Sequence, residues 1–440
     1  MPTTNDLVKL ISVEEDDLHE YLRREVPDES LESFFGKHAA AVRDELAVKP
    51  ADNKKGDSII ILLPGLTGSL LEDVGSDAEV LWINPLAFLG GHLNHLDLDE
   101  DGLKDASPGV RVEATKPIWL VYAKLMLSLQ QEFEVHSFAY DWRFAPASAA
   151  ARLKDFIDDK VAGSSRKQVT LVGHSMGGLV IMEYLSGENT KSHASQMVKR
   201  AITLGTPFKG ALDAALLLAK GNDPKMEIAQ KLNRSNDPLK MLRSFPSIYH
   251  VLPAPNNLYP NWSPLPDLDI YDPATWDNAH IPVSSKHLAA AKAYHERISK
   301  ADPQVPLYTV VGVYYATPVQ LLGKLLTAIP RYIRDGLQGG DGTVEGISAT
   351  FKDRPAYFVQ EVHIELVLEQ AVIDAIKAWV EGGQPTSLVQ QVDKVVLNDA
   401  PLRGASIGAP QGIITGKVAS KVSGNQDLNS EDIRALFVNK

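Results

Sequence analysis

The chain has 440 residues, a formal net charge of −12 and no cysteine. The acidic balance argues against a nucleic-acid partner, because a phosphate backbone needs a basic face. The missing cysteine excludes disulfides and thiolate metal sites. An apolar content of 44% with 23% charged residues suits a globular protein of one large decorated domain or of two. The first thirty residues carry Glu14, Glu15, Asp16, Asp17 and Glu20 and no apolar segment, the opposite of a secretory signal. No apolar run approaches the ~20 residues of a spanning helix, so the expected location is cytoplasmic, with peripheral membrane contact still compatible.

Residues 1–50 read as an acidic helical prefix, with twelve acidic residues against six basic ones. Ser12 and Glu15 have capping-box spacing ahead of an apolar stripe at Leu18, Tyr21 and Leu22. After Pro27, a second helix is expected through Leu31, Phe34, Phe35, Ala39, Val42 and Leu46, and 52–57 reads as a linker. From there to residue 382, strands alternate with helices. The strands expected are Ile59–Leu63, Val135–Tyr140, Gln168–Val172, Arg200–Leu204, Leu307–Val313 and Tyr357–Val362. The helices are Ile118–Leu129, Ala147–Val161, the run from Leu179, and Leu366–Val380. Such alternation predicts an α/β fold, a mostly parallel central sheet with helices on both faces. Insertions at about 81–116 and 209–302 break the rhythm and are placed to cap the ligand-binding end. Residues 383–440 read as a Gly/Ser-rich tail or strap, ending in a helix at Ser430–Phe437.

Chemistry concentrates in Gly173-His174-Ser175-Met176-Gly177-Gly178. A buried strand precedes it and an apolar helix follows, the setting in which G-x-S-x-G is a nucleophile elbow. A serine hydroxyl needs a base, and the base needs a carboxylate to hold its tautomer. In the α/β-hydrolase arrangement the three come in the order Ser, Asp or Glu, His. Asp341, inside Gly339-Gly340-Asp341-Gly342, and His363, just after the last strand, occupy those places. Asp353 competes with Asp341, but Lys352 and Arg354 beside it suggest a solvated turn. The oxyanion donors expected are the backbone N–H groups of Met176 and of Leu66, the latter in Pro64-Gly65-Leu66-Thr67-Gly68-Ser69.

Five segments appear in order: Ile61–Glu72, Tyr140-Asp-Trp-Arg143, Gly173–Gly178, Thr203–Phe208 and Gly340–Val344. Together with Ser244–Tyr249 and Leu252-Pro253, they give the chain a resemblance to the lecithin:cholesterol acyltransferase family over roughly residues 57–380. That resemblance implies an α/β-hydrolase fold with an inserted cap/lid region, the lid lying in about Leu216–Lys240. It also implies a triad on Ser175, Asp341 and His363 and oxyanion donors on Leu66 and Met176. The family's disulfide-pinned membrane loop has no counterpart in a cysteine-free chain.

Asp97-Leu-Asp-Glu-Asp-Gly102 copies half of a calcium loop, but Pro108 stands where the closing Glu is required. His92 and His95 lack a third ligand. No metal and no cofactor are therefore expected. Asp141 and Arg143 read as structural. Leu216–Ala219 and Leu321–Leu326 either line an acyl tunnel, touch a membrane or pack in the core. The function expected is a serine-dependent lipid acyl hydrolase or acyltransferase, acting through an acyl-enzyme on ester-linked fatty acyl groups such as those of phospholipids. The alternatives are an esterase on soluble or polymeric esters and a non-catalytic hydrolase-fold interaction protein. A restraining prefix is a further idea, under which deleting residues 1–50 raises activity.

Overall fold

Six parallel strands form the central sheet of the computed structural model, in the order Ala356–Val359, Leu307–Gly312, Val198–Leu204, Gln168–His174, Ser58–Leu63 and Glu134–Ser137. The structure describes residues 2–48, 57–75, 79–162, 167–186, 193–221, 223–260, 262–323, 325, 329–397, 411–424, 426 and 428–437. Most of the expected linker at 52–57 lies outside these residues. The inner strands are rich in buried apolar residues because helices cover both faces of the sheet. Ile59, Ile60, Ile61, Val169, Leu171, Ala201 and Ile202 are all buried. Flanking helices are Trp119–Gln130, Pro146–Val161, Met176–Ser186 and Gln370–Val380. The expected α/β-hydrolase fold class is the one observed. The last helix starts later than its apolar pattern suggested, since His363–Val367 turns as a 3-10 segment first.

The prefix differs from expectation in its details. Its capping box is Thr3–Asp6, at the start of a helix Thr4–Ser12, so Ser12 ends that helix instead of opening the next. Glu15 turns inward to the Ser137 hydroxyl, and burial raises its pKa. The expected second helix is two, Asp28–Phe35 and Ala39–Ala47, separated at Gly36 with φ 54°. These helices do not form a detached acidic arm. Leu7, Leu10, Leu18, Leu22, Phe35 and Val42 belong to the same apolar core as the sheet. Lys116 binds Glu14 (2.5 Å), and the Trp119 indole N–H donates to the Val13 carbonyl (2.8 Å). Removing residues 1–50 would therefore uncover the sheet's flanking helix. Loss of folded protein, not a gain of activity, is the consequence the packing supports.

Both insertions pack over the C-terminal ends of the strands. Helices Leu212–Lys220, Pro224–Leu232, Pro238–Ser244 and Pro246–His250 cover these ends, the first stopped by Gly221 and each of the other three opened by Pro. Leu216, Leu218 and Ala219 pack into the core. The patch at 321–326 divides in the same way: Leu321 is buried and Leu322 is exposed, while 324 and 326 lie outside the described residues. Helices Gln411–Ser423 and Ser430–Phe437 lie against the cap helix Pro224–Leu232 and the prefix helix Asp28–Phe35. No helix among the described residues is long and apolar enough to cross a membrane.

Candidate active site

Ser175 stands at φ 53° between the strand Gln168–His174 and the helix Met176–Ser186. Its N–H donates to the Leu204 carbonyl (2.8 Å), which ties the turn to the neighbouring strand. The loop 64–69 lies directly against this turn. A Cβ on Gly65 would stand 2.8 Å from the Ser175 Cβ, and one on Gly177 would stand 2.6 Å from the Pro64 carbonyl oxygen. Only glycine at both positions lets loop and elbow touch. Leu66 of this loop lines the cavity in front of Ser175, and buried Met176 opens the helix.

Asp341 is 1% exposed, and each carboxylate oxygen has a separate task. Oδ1 accepts from the N–H groups of Thr343 (3.0 Å) and Val344 (2.7 Å). Oδ2 accepts from the His363 Nδ1–H (2.7 Å). The Asp341 carbonyl also accepts the His363 backbone N–H (2.9 Å), so ring and backbone are both anchored. With the proton on Nδ1, Nε2 of His363 is left as an acceptor. Asp353 is exposed on a turn and does not line the cavity. The structure thus brings Ser175, Asp341, His363 and Leu66 to one cavity of about 190 Å³. Its other walls are mainly apolar and include Ile118, Val121, Ala214 and Val251, with Leu217 of the cap.

Two neighbours went unnoticed in the sequence. His174 Nε2–H donates to the His363 carbonyl (3.0 Å), which leaves Nδ1 to accept from the Tyr122 hydroxyl (2.9 Å). The Tyr122 oxygen in turn accepts the Gly65 N–H (2.9 Å). This directed chain links the loop 64–69 to the histidine loop through a neutral imidazole. Burial, then the neighbouring His363, pushes the His174 pKa down to about 3. Tyr122 was concealed in an apolar helix and His174 in the elbow motif, where neither residue type carries a signal of its own.

Two more buried imidazoles lie in the second insertion, with burial lowering His250 to about 4 and His295, in the helix Ser285–Ile298, to about 3 from 6.5. All three are neutral in the folded chain, whereas the unfolded chain takes up protons below 6.5. Their depressed values mean that the folded state binds fewer protons, so stability falls as pH drops from 6.5 toward 3. Thermal melts should show a steady Tm above neutrality and a falling one from about pH 6.5 to about pH 5. A Tm unchanged across that interval contradicts this.

Arg143 is fully buried and structural, as expected. It forms a forked pair with Asp141 (2.6–3.2 Å), meets Asp105 (2.8 Å) and donates to the Leu96 carbonyl (2.9 Å), stapling the first insertion to the sheet. The calcium-like segment is a turn. Asp99 accepts from the Leu103 N–H (2.9 Å), and Asp97 pairs with Lys240 (2.7 Å). His92 pairs with Glu79 (2.7 Å) and stacks on His95. Among the described residues, no three His, Asp or Glu side chains are arranged to hold a metal.

The sequence model of the family described as "Lecithin:cholesterol acyltransferase" matches residues 116–322. That span contains the elbow, Asp141-Trp-Arg143 and the cap. The loop 64–69, Asp341 and His363 lie outside it. A stretch of 202 residues is 26% identical to an Arabidopsis thaliana protein named "Putative phospholipid:diacylglycerol acyltransferase 2", covering 37% of this chain and 30% of that one. The matched stretch thus spans less than a third of that relative. Among solved structures, the Tle4-Tli4 complex aligns with TM-score 0.45 at 12% identity, over 74% of this chain and 98% of that one. Mature Bacillus licheniformis lipase BlEst2 aligns with TM-score 0.39 at 13% identity, over 76% and 96%.

Proposed function

We propose, from the match of the lecithin:cholesterol acyltransferase family model to residues 116–322, that this chain is a serine-dependent acyl hydrolase or acyltransferase for ester-linked fatty acyl groups, with phospholipid as donor. One observation carries the reading: Ser175 and a histidine whose tautomer is fixed by a buried aspartate line the same apolar cavity. In the first step the Ser175 Oγ attacks the acyl carbonyl carbon while His363 Nε2 takes the hydroxyl proton. The negative charge on the carbonyl oxygen is met by the N–H groups of Leu66 and Met176. His363 then gives its proton to the departing alcohol oxygen, and the acyl group remains on Ser175. In the second step water or an acceptor alcohol attacks that ester, with His363 again as base.

The cavity walls support an acyl chain as ligand, and the named plant relative supports a phospholipid donor. The present cavity is smaller than the roughly 300–1,000 Å³ of sites that enclose drug-sized ligands. A long acyl chain therefore requires the helices Leu212–Lys220 and Pro224–Leu232 to move outward. Mass spectrometry of a mixed phospholipid extract tests the reading. Wild-type chain should release free fatty acid and lysophospholipid, or acylate an added alcohol, and Ser175→Ala should do neither. Turnover confined to short-chain soluble esters would favour the esterase alternative and contradict the lipid assignment.

A further inference from the structure

His363 is carried by a short loop at the edge of the sheet, since the strand before it, Ala356–Val359, is the last in the strand order. Asp341 holds one flank of that loop. Its other flank bears two carboxylates: Glu361 and Glu365, at two residues before and two after His363, are each 4% exposed. Both converge on a single ammonium. The Lys37 Nζ lies 2.8 Å from Glu361 Oε2 and 2.6 Å from Glu365 Oε2. The two carboxylate oxygens can stand no farther apart than the sum of those distances. Glu361 Oε1 also accepts the Val362 N–H (2.9 Å), so its side chain is wound back onto the loop. His38 Nε2 is 3.7 Å from the same Glu365 oxygen.

Lys37 comes from the far end of the chain. It sits in the 3-10 turn Gly36–His38, between the prefix helices Asp28–Phe35 and Ala39–Ala47. Phe34, Phe35, Val42 and Leu46 bury those helices in the common core, so the backbone delivering the ammonium is fixed. The Lys37 side chain is 55% exposed, while its two partners are withdrawn from water. Without the ammonium, two buried carboxylates would face each other in a medium that screens them poorly. One must take a proton or swing out toward water, and a swing at Glu361, which is wound onto the Val362 N–H, moves the loop that carries His363.

We infer that Lys37 is a positioning residue for His363: an ion-pair clamp from the N-terminal prefix onto Glu361 and Glu365 fixes the loop that aims the imidazole at Ser175. The inference rests on the role proposed for His363. It gives the prefix a part in catalysis opposite to restraint. Its consequence falls on turnover more than on substrate binding, because Lys37 does not line the cavity and the displaced group is the base.

The test uses the full chain, a short-chain aryl ester and a fluorophosphonate probe, on wild type, Lys37→Met, Lys37→Arg and Lys37→Met/Glu361→Gln. Lys37→Met should lower kcat about 10- to 100-fold, the scale of an ångström-sized misplacement, with KM within about twofold. Lys37→Arg should restore most of the loss, and the double variant, which removes one of the facing charges, should restore part of it. If Lys37→Met does not fold, Lys37→Gln carries the same comparison. An unchanged kcat in the neutral variant overturns the inference. So does a loss that neither Lys37→Arg nor the double variant repairs. A wild-type chain inert to both ester and probe would remove the role of His363 itself, and is thereby distinguished from failure of the clamp alone.

Discussion

Ser175→Ala should cost about 10⁴-fold or more in acyl turnover while leaving the melting temperature near that of the wild type. The magnitude follows from the loss of the nucleophile, with only binding and oxyanion contacts left to favour reaction of water. The fold should survive because the structural demands at this position are met by the backbone. Its N–H bonds to the Leu204 carbonyl and its carbonyl accepts from the Gly178 N–H (3.0 Å). Alanine has the same Cβ as serine, so the φ of 53° is no more strained than before. Steady-state rates on a lipid or aryl ester, read beside a thermal melt, separate lost chemistry from lost structure.

Asp341→Asn should lower kcat by about 10⁴-fold through the wrong histidine tautomer. Oδ1 of the amide can still accept from Thr343 and Val344, so the tight loop is kept. The nitrogen that replaces Oδ2 is a donor, however, and meets His363 Nδ1 with a proton of its own. The imidazole must then carry its proton on Nε2, where it cannot accept one from Ser175. Asp353→Asn, altering an exposed turn outside the cavity, should leave kcat within about twofold, as surface substitutions usually do. Equal losses in the two variants, or a loss in Asp353→Asn alone, would move the carboxylate's role away from Asp341.

The sheet was legible because its strands are short, mostly apolar runs bounded by turn residues, the clearest being Ile59–Leu63. The tight turn at Ser175 was legible because glycine is required where backbones touch, and Gly177 lies against the Leu63 and Pro64 carbonyls. The prefix was read less well. Ser12 and Glu15 have capping-box spacing, but Thr3 and Asp6 form the box and Glu15 is drawn to Ser137. Spacing alone does not say which of two acceptable caps tertiary packing will use. Contacts between distant segments left no local pattern at all. Lys37 and Glu361 are 324 positions apart, and the chain from Gly65 through Tyr122 and His174 to His363 joins four separate segments. The tail's strap against the cap and prefix was hidden for the same reason, its helices being apolar on a face whose partner lies elsewhere in the sequence.

The proposed function requires Ser175 to be a nucleophile activated by His363. Incubation of the wild-type chain with a fluorophosphonate, followed by intact-mass and peptide mass spectrometry, tests it most directly. One stoichiometric adduct is expected, located on the Ser175 peptide and absent from Ser175→Ala. A folded wild-type chain that takes up no adduct, or takes it up on another residue, would contradict it.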